Sequence, residues 1–390
     1  MSEEELPTGS SKPTDTTIID EGIYPKVPLD TSADALKDEY NKLLSRRVIP
    51  GPIHYDLVKQ LGHGQQGTVF QATRVGARGC TTQHAVKILD PSVYSTPERY
   101  WTDMSRLAGQ VSALHLIQND NLINRDMYQE YQGVGYIQMS IIDGMDLRNL
   151  LDGTHLAIAR SQSSEKEWKR FTDTLFVVSD AGGLRFRAGL TMYILRRCLL
   201  GLEAMHNNDF LHADLKPANI MIDLNGSIKI IDFGRAVRVG EDPSILLGTP
   251  AYMAPETHER AANLIASDLY SLGLVVLEML CGKLDMKRHG VSDRALQQRK
   301  RELPEELASL LPENIPARGL MIKLLEKFLN PDPDQRFQTT REVLDESLAL
   351  RALGREIALM NPEIDYAREL QLYMEKTSNP ETGHIHPGLQ

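Results

Sequence analysis

The segment FLHADLKPANIMIDLNGSIKIIDFGRA, Phe210 to Ala236, constrains this chain more than any other. NIMID and IKIID are short β-forming runs, and DLNG, Asp223 to Gly226, is a turn sequence between them. Asp214, Lys216 and Asn219 stand at the entrance to this hairpin pattern and Asp232 at its exit. Asp and Asn are common turn residues, so two turns flanking a hairpin would account for the acids alone. That account does not ask for Lys216, Asn219 and Asp232 together at this spacing.

The set suits phosphoryl transfer. Asp214 would orient an attacking hydroxyl and accept its proton, and Lys216 would neutralise charge on the transferring group. Asn219 and Asp232 would ligate magnesium, which prefers carboxylate, amide and phosphate oxygens. Gly234 gives backbone freedom beside Asp232, and Phe233 is expected to pack inward. His212 is expected to be a hydrogen-bonded core histidine rather than a ligand or base.

Upstream, LGHGQQGTVF carries Gly62, Gly64 and Gly67 in a GxGxxG spacing. Glycines let backbone N–H groups approach phosphates, but the spacing also serves dinucleotide binding or a plain turn. Asp90, roughly twenty residues on, even supplies the acid that a ribose contact requires. The dinucleotide reading fails just after the loop, because GTVFQATRV alternates like a strand and that motif must open a helix. Lys87 in HAVKIL then points to two strands covering a triphosphate with one cation between them. A surface lysine on an edge strand is the alternative, since a lysine in an apolar strand is costly to bury unpaired.

The 390 residues suffice for two domains, or for one domain of two lobes with extensions. A formal net charge of −10 argues against non-specific binding to nucleic acid or an anionic membrane. Cys80, Cys198 and Cys281 are far apart and form no CxxC pair, so a disulfide framework or zinc cluster is not expected and a reducing cytoplasm fits. The acidic start MSEEELPTGSSKPTDTT lacks the pattern of a signal peptide. The longest apolar run, Leu269 to Leu280, is too short to cross a bilayer.

Residues 1–30 are polar and acidic and are expected to be disordered. Residues 31–54 read as a helical extension, SADALKDEYNKLLSRR, ended by the breaker VIPGP. Residues 55–142 are strand-like (YDLVKQLG, GTVFQATRV, QHAVKILD, GYIQMSII), interrupted by the helical DMSRLAGQVSALHLIQ. From about residue 190 the pattern is mainly helical, with only NIMID and IKIID as strands. The polar stretch 152–189 reads as an insertion in which SEKEWKRF suggests either a docking element or, the simpler reading, a solvated surface helix. Residues 351–390 suggest one or two more helices and a loose end, whose HIHPG offers too few ligands for a metal. The whole is an α+β chain with a small β-rich lobe, 55–142, and a larger helical lobe, 143–350.

In order along the chain, the glycine loop, AVK, DLKPAN, DFG, GTPAYMAPE, SDLYSLG and PDPDQRF resemble the motifs of eukaryotic-type (Hanks-type) serine/threonine protein kinases, over about residues 55–350. The resemblance implies the bilobal protein-kinase fold, with ATP and Mg2+ (or Mn2+) as cofactors. It implies a protein substrate with a Ser or Thr acceptor, with autophosphorylation included, and no nucleic acid or membrane span. Gly62, Gly64, Gly67, Val69 and Lys87 would then hold the nucleotide together with Asn219 and Asp232. Met139 would guard the rear of the adenine pocket, and the backbone of Ser140 to Ile142 would bind adenine. Thr249 would stand with Lys216 near the acceptor hydroxyl, Asp268 would anchor the loop around Asp214, and Arg336 would pair with Glu256.

Two positions depart from the family. Ala213 stands where members with arginine use it to grip a phosphate on the activation segment, so control without phosphorylation at Ser244 is expected. Gln110 falls where the small-lobe helix should place a glutamate for Lys87, and its amide oxygen could still accept a bond from that lysine. An active kinase is the leading reading. A pseudokinase or weakly active ATP-binding scaffold is the alternative, favoured by Gln110 and the extra segments, whereas a small-molecule kinase should lack GTPAYMAPE.

Overall fold

The computed structural model describes residues 32–385 apart from 65, 179–182, 241–248, 259–263, 283, 285–291, 347–349, 352–353, 356–363, 380–381 and 383. The expected disorder of residues 1–30 and the candidate phosphosite Ser244 therefore lie outside the described residues.

Alternating and β-branched runs build a first lobe around one antiparallel sheet. Its strands are β1 (Val48–Ile49), β2 (His54–Gly64), β3 (Gly67–Val75), β4 (Thr81–Leu89), β5 (Arg125–Tyr131) and β6 (Val134–Met139). They lie in the order β1-β2-β3-β4-β6-β5. The sequence pattern does not reveal β5, because RDMYQEY is rich in polar residues; it lies at the sheet's edge, with Arg125 alone fully buried along it. Helix α1 (Ala33–Arg46) is capped by Ser32 and buries Leu36, Tyr40 and Leu43. The Tyr40 hydroxyl lies 3.0 Å from Thr68 Oγ1, which ties this extension to the residue after Gly67.

Helix α2 (Pro97–Leu114) starts six residues before the expected Asp103. Thr96 caps it and Pro97 occupies the first turn, where its missing N–H costs nothing. Tyr100, Met104, Leu107, Val111 and Leu114 recur at helical spacing and are buried toward the sheet and the second lobe.

The second lobe opens with β7 (Gly144–Asp146), α3 (Leu147–Asp152), α4 (Leu156–Ser161), α5 (Glu165–Thr174), β8 (Phe176–Val178), β9 (Leu184–Phe186) and α6 (Ala188–His206). Then come β10 (Phe210–Leu211), β11 (Ile220–Asp223), β12 (Ile228–Ile230), β13 (Val237–Arg238), α7 (Pro255–His258), α8 (Ile265–Cys281), α9 (Asp293–Leu310), α10 (Arg318–Phe328) and α11 (Tyr366–Glu375). This is the bilobal α+β architecture expected. The extra strands β7, β8, β9, β10 and β13 have two or three residues each, too few to display a period. Helix α8 is buried from Ala266 to Leu280, so its apolar run is a core helix. Among the described residues no helix is long and apolar enough to cross a membrane.

The segment 152–189 and the C-terminal extension pack on each other. A Ser164–Glu167 capping box starts α5. One face of α5 then meets α11: Phe171 packs edge-on against Tyr373 with ring centres 5.2 Å apart, and Arg170 grips Glu369 with two hydrogen bonds. Lys376 reaches Glu167 at 2.9 Å. The expectation of a solvated helix thus holds for only one side of α5.

Candidate active site

Antiparallel pairing of Ile220 with Ile230 and Ile222 with Ile228 joins β11 to β12. All four isoleucines are buried, so the hairpin is fixed by its core face and its loops emerge together. The Ile231 N–H donates to the Asn219 carbonyl at 2.8 Å, which sets Asn219 beside Asp232.

The loop before the hairpin is anchored from α8. The Asp268 carboxylate accepts the N–H groups of His212 at 2.8 Å and Ala213 at 2.9 Å, and meets His206 Nε2 at 2.9 Å. Burial alone would raise the Asp268 pKa, but His206 and these bonds outweigh it and hold the group below the ordinary carboxylate value. The two backbone bonds secure Ala213 at φ 60°, a left-handed conformation that is costly for a residue with a Cβ. His212 is fully buried, contacts the Ile231 carbonyl at 3.0 Å and lies edge-on to Phe233. It is the core histidine that the sequence suggests.

Asp214 sits at the centre of a small network. Its Oδ2 accepts from Lys216 Nζ at 2.7 Å and its Oδ1 from the Thr249 hydroxyl at 2.8 Å. Lys216 also donates to Thr249 at 2.9 Å. Asn219 spends its amide nitrogen on the Asp214 backbone carbonyl at 2.7 Å, which leaves its amide oxygen as the group able to face a cation. With Asp232 that makes two oxygen donors at the hairpin's ends. Among the described residues no cluster of three or more His, Cys, Asp or Glu could hold a metal alone. Two protein oxygens completed by phosphate and water suit magnesium better than a metal needing an all-protein cage.

Across the cleft, Lys87 Nζ donates to Asp232 Oδ1 at 2.7 Å and to Gln66 Oε1 at 2.9 Å. Asp232 is half-buried; Lys87 and Arg125 outweigh the effect of burial and hold its carboxyl well below the usual range. The bond offered to Gln110 is not made. A neutral amide cannot compete with the Asp232 carboxylate for the ammonium, and Gln110 instead donates its nitrogen to the Ala236 carbonyl. Among the described residues its own oxygen is buried with no hydrogen-bond partner.

The β2–β3 hairpin carries the three glycines, with Gly64 paired to Gly67 and Gly62 to Val69. A Cβ on Gly67 would lie 1.9 Å from the Ile88 carbonyl oxygen, so only glycine fits there. The same hairpin delivers Gln66, which the spacing does not single out, to Lys87 and against Gly234. Val69 pairs with Lys87 in register. Met139 ends β6 opposite Ala85 and Arg125, and Ser140 to Ile142 form the strandless link to β7.

Two basic side chains, Arg336 and Lys300, hold the segment after Thr249. Arg336 grips Glu256 through two bonds of 2.8 Å, and Ser267 also donates to Glu256. Sequence reasoning missed Lys300 of α9, which is wholly buried and bonds the Pro250 and Met253 carbonyls, both at 2.5 Å, and His258 Nε2 at 3.1 Å. Burial pushes Lys300 down to about 7, while Glu256 and Asp293 pull weakly the other way. Above that pH its neutral amine supplies two donors for the carbonyls and a lone pair for the His258 N–H.

Because an unfolded lysine keeps its proton to about pH 10.4, the unfolded chain binds the extra proton between about 7 and 10. Unfolding free energy should therefore gain from Lys300 as pH rises through that window. Denaturation at pH 7 and pH 9.5 should show this gain in the native protein and its loss in Lys300→Met. Equal slopes in the two proteins would contradict it.

A family model for the protein kinase domain matches residues 55–348. The chain is 26% identical over 296 residues to the serine/threonine-protein kinase max-2 of Caenorhabditis elegans, covering 73% of this chain and 38% of that protein. It is 27% identical over 290 residues to the serine/threonine-protein kinase RUNKEL of Arabidopsis thaliana, covering 73% and 18%. It is 26% identical over 236 residues to the human ribosomal protein S6 kinase alpha-1, covering 60% and 28%. The chain spans less than half the length of these relatives.

Proposed function

Since the chain belongs to the protein kinase family, we propose that it transfers the γ-phosphoryl group of ATP to Ser or Thr hydroxyls of protein substrates. The observation that carries this reading is the convergence of Lys216, Asn219 and Thr249 on Asp214. Asp214 would orient the acceptor hydroxyl and take its proton, while Lys216 would offset charge on the group in transit. Asn219 and Asp232 would hold magnesium, which when bound neutralises phosphate charge. Lys87 would turn from Asp232 to the phosphates as they enter. The hairpin bearing Gly62, Gly64 and Gly67 would cover those phosphates, and Val69, Met139 and the Ser140–Ile142 backbone would enclose the adenine. A cytoplasmic setting fits a reaction fed by ATP.

Incubation with γ-labelled ATP, magnesium and a basic carrier protein tests the reading. Label on serine or threonine of carrier or enzyme supports it. Nucleotide uptake with no transfer would favour the ATP-gated scaffold, the reading to which Gln110 points.

Ala213 offers no guanidinium to a loop phosphate, so regulation would not pass through Ser244. Ser244→Ala should keep initial rates within about tenfold of the native value. A larger fall in the same labelling assay would contradict phosphorylation-independent control.

A further inference from the structure

Arg125 opens β5 with its side chain 1% exposed. Among the described residues none of its guanidinium nitrogens makes a hydrogen bond. The guanidinium lies 5.0 Å from the centre of the Phe233 ring and 3.8 Å from Asp232 Oδ1. That oxygen is the one Lys87 holds at 2.7 Å. Arg106, also nearby, is paired with Asp103 at 2.7 Å and donates to the Gly234 and Ala236 carbonyls. Gln110, where a carboxylate would add a second acceptor, is neutral. Among the described residues Asp232 lies within 4 Å of two cations, Lys87 and Arg125, and Lys216 acts on it from farther off. Burial pushes Arg125 down to about 10, which leaves it charged at neutral pH. A buried cation without acceptors destabilises a fold compared with an apolar residue of similar size, so its effect on Asp232 is the property to account for.

Resting on the reading of Asp232 as a magnesium ligand, we propose that Arg125 is a positioning residue acting through Asp232: with Lys87 it weakens the hold of Asp232 on magnesium, and the share of Lys87 is lifted when nucleotide phosphates arrive, so that nucleotide binds first and metal second. The two cations differ in freedom. Lys87 is a point charge on a flexible stem and can move to phosphate oxygens. Arg125 is enclosed and stacked on Phe233, so it stays. Without nucleotide, magnesium meets a carboxylate already offset by both. Once phosphates draw Lys87 away, Arg125 remains as the cation nearest Asp232, with Lys216 acting more weakly, and the phosphates supply the remaining oxygens that magnesium requires.

Calorimetry with magnesium and ADP, which cannot transfer a γ-phosphoryl group, tests this order. Native protein should bind ADP without metal and give no heat with millimolar magnesium alone. In Arg125→Met, which removes the charge and keeps an apolar stem, the magnesium concentration giving half-maximal ADP-linked binding should fall by about tenfold. Arg125→Lys should return it near the native value. A role in packing alone would lower the melting temperature of Arg125→Met without tightening magnesium, and that result overturns the proposal. If Arg125→Met does not fold, the native protein still decides: magnesium bound as tightly without ADP as with it also overturns the proposal. Native protein that takes up neither ADP nor magnesium would bring down the kinase reading and this inference together. Binding of both in either order would bring down the inference alone.

Discussion

Asp214→Asn should lower phosphoryl transfer by about 10²- to 10⁴-fold, the usual contribution of a positioned general base. The substitution keeps the shape of the side chain but removes the proton acceptor. It also breaks the network's logic, because Lys216 and Thr249 both donate to the native carboxylate and the new amide nitrogen can only donate in return. Nucleotide binding should change by less than about threefold, since Lys87 lies across the cleft and bonds Asp232 and Gln66 rather than the Asp214 side chain. Steady-state rates with parallel calorimetry of ADP and magnesium separate the two effects. A variant with native transfer rates would remove Asp214 from the chemistry. One that loses nucleotide binding in equal measure would show that Asp214 organises the pocket instead.

The second large effect is on stability. Glu256→Gln should cost about 3–5 kcal/mol, because it leaves the Arg336 guanidinium buried without its counter-charge. Arg336 is fully enclosed, and Glu256 receives its two bonds at 2.8 Å. The carboxyl is held below its ordinary pKa: burial would raise it, but Arg336 and Ser267 prevail. A depressed carboxyl contributes stability above its unfolded pKa of about 4.3, lost as pH falls through the folded value. The stability difference between native protein and Glu256→Gln should therefore be full at pH 7 and shrink in acid. Urea unfolding at pH 7 and in the acid range measures both. A cost below about 1 kcal/mol at pH 7, the size of an exposed pair, would contradict a buried one.

How far the sequence reveals each contact depends on how that contact is specified. Asp214, Lys216, Asn219 and Asp232 lie on short loops locked to one hairpin, so their separation in sequence largely fixes their separation in space. The anchoring of Ala213 by Asp268 and the Arg336–Glu256 pair are expected only through family resemblance, and the structure makes both contacts. Lys87 illustrates the opposite case. Its partner is settled by competition among Asp232, Gln66 and Gln110, three groups on separate elements whose relative strengths no spacing encodes.

Gln66, Arg125 and Lys300 are invisible in the sequence for a related reason. Each is a polar side chain that reaches the site from a segment distant in sequence and that no motif specifies, Gln66 being an open position of the glycine loop. The pairing of α5 with α11 depends on Arg170 meeting Glu369, a contact across 199 positions. Strand β5 hides behind polar residues because a sheet edge demands little burial.

A site without the helix carboxylate should still carry out transfer. Single-turnover quench-flow tests it most directly, with enzyme in excess over ATP and a basic carrier protein present. One magnesium-dependent exponential is expected, in which ADP and phosphoserine or phosphothreonine appear together, strongly slowed in Asp214→Asn. Bound ATP recovered intact after many minutes, with metal present and the protein folded, would contradict it.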